Sequence, residues 1–102
     1  MKGLSGKTAI VTGASTLIGQ EVVRAFAQYN VSVMMADINE NDGHALAEEL
    51  GDGVIFKTTD ITKDADIDDC IAACKANFGG VDYLVNIAST YLDNGLDTNR
   101  SD

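Results

Sequence analysis

The stretch TGASTLIG, from Thr12 to Gly19, decides the fold of this chain. It follows a short β-branched run, KTAIVTG, that ends at a glycine, which is typical of a strand running into a tight turn. It also opens a segment in which apolar residues recur at helical spacing, namely Ile18, Val22, Phe26 and Tyr29. The sequence therefore predicts a strand, a turn and a helix that is buried along this stripe.

The same alternation continues to residue 89. VSVMMADI, GVIFKTTDI and VDYLVNIAS are predicted strands, and NENDGHALAEEL, closed by Gly51, and TKDADIDDCIAACKANFGG are predicted helices. Strands that alternate with helices form right-handed crossovers and a parallel sheet covered on both faces. We predict an α/β half-fold of the Rossmann type, a doubly wound parallel sheet with strand order 3-2-1-4.

The predicted organisation is one incomplete domain followed by a loop. Residues 1–90 form the dinucleotide-binding βαβ domain, and the polar, aperiodic residues 91–102 form an exposed loop. The nearly continuous apolar run in the fourth strand is typical of a strand with neighbours on both sides. We therefore expect residues 91–102 to begin a C-terminal catalytic segment that this sequence lacks.

Composition excludes several classes of function. The 102 residues are 45% hydrophobic, enough for one core, and the net charge of −9 repels nucleic acid and anionic membranes. No run is apolar enough for a membrane span and no signal peptide is present, so a soluble cytoplasmic protein is expected. Cys70 and Cys74 have the spacing of neither a redox motif nor a zinc site and are predicted to be buried on a helix. His44 lies on a polar helix face. No metal site is therefore expected.

Residue spacing points to a nucleotide site. Gly13 directly follows a strand and Gly19 opens a helix, so that backbone N–H groups converge where a pyrophosphate could sit. Asp37 ends the second strand, where a carboxylate can accept both ribose hydroxyls, and no basic residue follows it, which favours NAD over NADP. Taken singly, each of these residues could equally be a turn or strand-end residue; their joint order favours a site.

Four ordered motifs, TGASTLIG, ADI, TDIT and FGGVDYLVNIAS, resemble the short-chain dehydrogenase/reductase family over essentially the whole chain. The resemblance implies that the first stretch contacts the pyrophosphate, Asp37 the adenosine ribose and Asp60 with Ile61 the adenine, and that Asn86 and Ala88 support the strand end. The cofactor-binding residues predicted in this way are Gly13, Ser15, Thr16, Leu17, Ile18, Gly19, Asp37, Ile38, Asp60, Ile61, Asn86, Ala88 and Ser89.

Two departures from the family pattern affect the site. Leu17 stands where the commonest branch of the family has the middle glycine, and we expect its side chain to point away toward the core. Ile87 and Ser89 replace the second Asn and the Gly of the family's Asn-Asn-Ala-Gly motif, and Ser89 adds a Cβ and a hydroxyl near the expected nicotinamide ribose.

A third departure concerns catalysis. The family's proton relay needs a tyrosine followed four positions later by a lysine, whereas the three tyrosines here are followed at that spacing by Val33, Ile87 and Gly95. We therefore assign no catalytic residue to this chain. The resemblance implies an NAD-dependent oxidoreductase acting on a secondary alcohol or ketone, with this chain as its cofactor-binding half, completed by the C-terminal segment and then forming a homo-oligomer. The alternatives are a non-catalytic NAD-binding module and an inactive remnant.

Overall fold

The computed structural model describes residues 3–87 as four strands and three helices in strict alternation. They are β1 (Thr8–Thr12), α1 (Leu17–Gln28), β2 (Ser32–Asp37), α2 (Glu40–Leu50), β3 (Val54–Thr58), α3 (Asp64–Phe78) and β4 (Tyr83–Asn86). All neighbouring strands are parallel, in the order β3-β2-β1-β4, so the predicted topology is confirmed. The expectations for Ala88, Ser89 and the loop at 91–102 lie outside the described residues.

The core lies on both faces of the sheet because β1 and β2 are central. Alternate residues of β2 face opposite sides: Met35 packs with the residues beneath α1 and α2, while Met34 packs with Cys70 and Cys74 of α3. Both cysteines are buried, as predicted.

The buried line of α1 differs from the predicted stripe. Gly19 and Val23 are its buried residues, whereas Ile18 and Tyr29 are 51% and 40% exposed. The helix approaches the β1–α1 connection closely at Gly19, where a side chain would not fit, and Val22 and Phe26 of the predicted stripe are half-buried against the core. Tyr29 lies one residue beyond the last turn.

β4 is an exposed edge of the sheet. It pairs with β1 alone among the described strands, and its Leu84 is 66% exposed. An apolar cleft lies beside it on each face: one of about 310 Å³ on the α3 side, lined in part by Ile67, Ile71 and Leu84, and one of about 450 Å³ on the α1 side, lined in part by Phe26 and Tyr83. None of the helices within residues 3–87 combines the length and apolar character needed to cross a membrane.

Candidate cofactor-binding site

The candidate site is a cleft of about 400 Å³ at the carboxyl ends of the strands. β1 lies between β2 on one side and β4 on the other, and the chain reverses its direction of winding at this point. In open α/β sheets, ligands bind at such a switch point. The cleft is lined by Gly13, Ala36, Asp37, Ile38, Thr59, Asp60, Ile61, Thr62, Asn86 and Ile87.

Gly13 and Gly19 are required by the geometry of the β1–α1 connection. Gly13 has φ +65°, and a Cβ there would lie 2.7 Å from the carbonyl oxygen of Ile87. A Cβ on Gly19 would overlap the carbonyl oxygen of Gly13 and come within 2.8 Å of the Ala14 Cα. Both glycines therefore serve the close approach of backbone to backbone that the spacing predicts.

The connecting residues Gly13–Thr16, here called the glycine loop, lead from β1 into α1, and Gly13 lines the cleft. Thr16 caps the helix: its Oγ1 accepts from the Gly19 N–H at 3.0 Å and donates to the Gly13 carbonyl oxygen at 2.7 Å. The N–H groups of Leu17 and Ile18 have no acceptor within residues 3–87. Such groups, together with the helix dipole, favour an anion at this position.

Asp37 and Ser15 join the glycine loop to the end of β2. The Ser15 N–H donates to Asp37 Oδ2 at 2.9 Å, and the Ser15 hydroxyl donates to the carbonyl oxygen of Asn39 at 2.8 Å. Asp37 Oδ1 accepts from the N–H groups of Ile38 at 2.7 Å and Asn39 at 3.3 Å. The carboxylate predicted to bind the ribose is therefore also bonded to the loop predicted to bind the pyrophosphate.

Asp60 and Ile61 follow β3 and line the far side of the cleft. Asp60 Oδ1 accepts from the Thr62 hydroxyl at 2.6 Å and from the Thr62 N–H at 3.0 Å, and these bonds lower the pKa of Asp60 below its ordinary value. The carboxylate is thereby held ionised, and its orientation is fixed. Thr62 was not among the predicted site residues, although its position two residues after an acid is the signal of an Asx-type turn.

At the end of β4, Asn86 accepts a hydrogen bond from the Thr12 hydroxyl through Oδ1. The amide nitrogen of Asn86 has no acceptor within residues 3–87 and can therefore donate to a ligand. The backbone of Ile87 packs against Gly13. The sequence pattern drew attention to Ile87 as a departure from the family and did not reveal this contact, which depends on the register of β1 with β4.

The expectation for Leu17 is wrong. Its side chain is 84% exposed and does not point toward the core. Leu17 is the first residue of α1, and the buried residues of this helix are Gly19 and Val23. The side chain is not among the residues that line the cleft either, and the N–H groups of Leu17 and Ile18 have no acceptor within residues 3–87.

These features fit a dinucleotide. The two glycines hold a backbone cradle that a Cβ would fill, the helix start offers N–H donors for a diphosphate, and a carboxylate stands at the end of β2 for a ribose diol. Within residues 3–87, no cluster of His, Cys, Asp and Glu side chains is arranged to hold a metal ion. The fold defines the class: a protein with a Rossmann-type parallel sheet.

Comparison with known proteins identifies the family. A model of the family "short chain dehydrogenase" matches residues 7–101, and the chain belongs to the short-chain dehydrogenase/reductase family. It is 37% identical over 97 residues to 3-beta-hydroxysteroid dehydrogenase of Comamonas testosteroni, covering 95% of this chain and 38% of that protein. It is 36% identical over 88 residues to sorbitol dehydrogenase of Cereibacter sphaeroides, covering 86% and 34%.

Solved structures agree with the fold. The 3-ketoacyl-(acyl-carrier-protein) reductase from Brucella melitensis, complexed with NADH, superposes with a TM-score of 0.78 at 34% identity, covering 80% of this chain and 34% of that one. A short-chain dehydrogenase/reductase from Burkholderia phymatum, in complex with NAD, also gives 0.78 at 28% identity, covering 82% and 31%. The chain thus spans about a third of the length of these relatives.

Proposed function

We propose that this chain is the NAD(H)-binding half of an oxidoreductase that acts on a secondary alcohol or ketone. The observation that carries the proposal is the Asp37 carboxylate, bonded to the glycine loop and facing the same cleft. The N–H groups of Leu17 and Ile18 bind the pyrophosphate, Asp37 and Ile38 the adenosine ribose, and Asp60 with Ile61 the adenine. The bound nicotinamide supplies the chemistry, since it accepts or donates a hydride.

Charge at the ribose end supports NAD over NADP. A 2′-phosphate would stand against the Asp37 carboxylate, and the neighbouring Ser15, Ile38 and Asn39 carry no positive charge to neutralise it. The acidic chain, with net charge −9, adds to the repulsion of an extra phosphate.

The remaining part of the activity belongs to a C-terminal segment of the protein. Residues 1–90 are the dinucleotide-binding domain in this proposal, and residues 91–102 lead into the segment that supplies the proton relay and the substrate contacts. Support comes from the exposed edge of β4 and the apolar cleft on each side of it, which a further strand and helix would cover. The length of the relatives supports the same division.

Cofactor binding is tested first on the 102-residue chain, by thermal unfolding and titration calorimetry with NAD, NADH and NADP. At 100 times its dissociation constant, NAD should add about 2.7 kcal/mol to the free energy of unfolding. NADP should bind about tenfold more weakly or worse, a difference of about 1.4 kcal/mol. Absence of stabilisation by either NAD or NADH would contradict the proposal, and equal affinities would contradict the choice of NAD.

Catalysis is tested on a longer parent polypeptide, identified by intact-mass analysis of the native source. Its NAD-dependent oxidation of secondary alcohols is followed through NADH absorbance, with the 102-residue chain as the matched control. Activity of the parent and none of the shorter chain is the expected result. An inactive parent that still binds NAD would instead support a non-catalytic module.

A further inference from the structure

The carboxylate of Asp37 is bonded to two separate loops before any ligand is considered. Oδ2 accepts from the Ser15 N–H at 2.9 Å, and Oδ1 accepts from the N–H groups of Ile38 and Asn39. Hydrogen bonds from N–H groups to an ionised carboxylate are about twice as strong as neutral ones. Asp37 therefore fixes its own loop and reaches across to the glycine loop.

Ser15 is the point at which the glycine loop is held. It is 5% exposed, and all its polar groups are bonded: the N–H to Asp37, the hydroxyl to the Asn39 carbonyl oxygen, and the carbonyl oxygen to Gln20 Nε2, the last two at 2.8 Å. The loop also has a backbone bond to β2, from the Ala14 N–H to the Ala36 carbonyl oxygen, but its 3.5 Å length makes it weak. The Asp37 bond is the stronger connection from this loop backbone to β2.

We propose that Asp37 positions the glycine loop through the Ser15 N–H, independently of any contact with a ribose. The residue thereby fixes the backbone from which the Leu17 and Ile18 N–H groups project. The positioning itself stands on the structure alone, and its consequence for a bound diphosphate rests on the proposed function. In the proposed function Asp37 binds the adenosine ribose. In the present inference the same residue also acts through Ser15.

One consequence concerns cofactor selectivity. A small or basic residue at position 37 would remove the repulsion of a 2′-phosphate and would also release Ser15 from β2. Substitution of Asp37 alone would then weaken the binding of both cofactors, because the glycine loop loses its stronger hydrogen bond to β2. Selectivity and affinity are coupled at this residue.

The direct test is amide hydrogen exchange at Ser15 in the full chain without ligand, followed by NMR. Asp37→Ala should speed exchange at Ser15 by about tenfold or more relative to the amides of Met34 and Met35. These two amides lie in the core of β2 and report any change in the overall stability of the chain. Asp37→Asn, which is uncharged like Asp37→Ala but keeps one acceptor oxygen, should show a smaller increase. Asp52→Asn is the matched charge control, because Asp52 lies in an exposed turn and has no side-chain partner within residues 3–87.

The second arm uses inorganic pyrophosphate, which has no ribose. Asp37→Ala and Asp37→Asn remove the same charge, so a difference between them in pyrophosphate affinity reports the position of the loop. We expect Asp37→Ala to bind pyrophosphate about threefold or more weakly than Asp37→Asn. If Asp37 acts only through the ribose or through its charge, the two variants will bind it equally.

The outcomes separate this inference from the proposed function. Unchanged Ser15 exchange in Asp37→Ala overturns the inference, even if NAD binds. Wild-type protein that binds neither NAD nor pyrophosphate overturns the proposed function, while faster Ser15 exchange in the variant still supports positioning. If Asp37→Ala does not fold, exchange at Ser15 in Asp37→Asn decides: an increase of about twofold or more supports the inference, and wild-type exchange overturns it.

Discussion

At the scale of single residues, Gly19 and Gly53 differ in what a methyl group would meet. A Cβ on Gly19 overlaps the Gly13 carbonyl oxygen, whereas a Cβ on Gly53 meets nothing within 4 Å. We expect Gly19→Ala to lower the free energy of unfolding by about 1–3 kcal/mol, because the helix must move away from the loop. Urea unfolding followed by circular dichroism measures the change.

Gly53→Ala is the matched control and should change the same free energy by about 0.5 kcal/mol or less. If the two variants are equally stable, the close approach of α1 to the glycine loop is not present in solution. Gly19→Ala should also lose NAD binding, since the displaced helix start no longer presents its N–H groups to the cleft.

Leu17 is one of the residues at which this chain departs from the family pattern, and we expect its replacement by glycine to change the stability of the fold little. Because its side chain is 84% exposed and lines no part of the cleft, Leu17→Gly should lower the free energy of unfolding by about 1 kcal/mol or less. NAD affinity should change by about threefold or less, as calorimetry will show. A sharp gain in affinity would mean that the Leu17 side chain obstructs the pyrophosphate.

The sequence predicts which residues lie near the carboxyl ends of the strands and does not predict how their side chains are oriented. Gly13, Gly19 and Asp37 follow from the spacing of strand, turn and helix, and the structure brings them to one edge of the sheet. The orientation of Leu17 depends on where α1 begins relative to that edge, and a shift of one residue turns a side chain by about 100°. The bonds of Ser15 to the β2–α2 connection depend on three-dimensional packing and carry no pattern in the chain.

At the scale of elements, the strands were more predictable than the faces of the helices. Each strand is a short run of β-branched and apolar residues, so its existence and its parallel neighbours follow from pattern and topology. The buried line of α1 includes Gly19, and a residue without a side chain contributes nothing to the apolar stripe from which a helix face is predicted. In α3, by contrast, apolar residues recur at helical spacing and all of them are buried or half-buried, namely Ile67, Ile71, Cys74 and Phe78.

α3 carries a prediction about its two thiols. Cys70 and Cys74 are 2% and 0% exposed, and burial raises the pKa of both thiols. At neutral pH we expect thiol reagents to label the native chain at least about tenfold more slowly than the urea-unfolded chain. The single variants Cys70→Ala and Cys74→Ala report the two sites separately, and mass spectrometry counts the labels.

Labelling of the native chain at the unfolded rate would show that α3 does not stay packed against the sheet. If only Cys70 reacts, the opening is confined to the apolar cleft that Cys70 lines, and the α3 end near Cys74 stays closed. The two variants therefore distinguish local opening from loss of the whole element.

At the scale of the whole molecule, the apolar edge at β4 and the net charge have opposite effects on the association of chains. β4 exposes Leu84 at 66% beside two apolar clefts, which favours association of chains along this edge, while a net charge of −9 on every copy opposes it. Salt screens the repulsion and leaves the apolar contact intact. We expect the 102-residue chain to associate more strongly as salt is raised, as measured by sedimentation or light scattering over a concentration series.

Leu84→Lys should reduce this association, because a charged side chain then occupies the edge. Ile38→Lys is the matched control: Ile38 is 67% exposed, so the changes in charge and in exposed apolar surface are similar, but it follows β2, which does not pair with β4. Association that persists in Leu84→Lys, or that falls equally in both variants, would mean that general hydrophobicity drives it. A selective loss in Leu84→Lys would locate the contact at β4, the edge that the proposed C-terminal segment would cover.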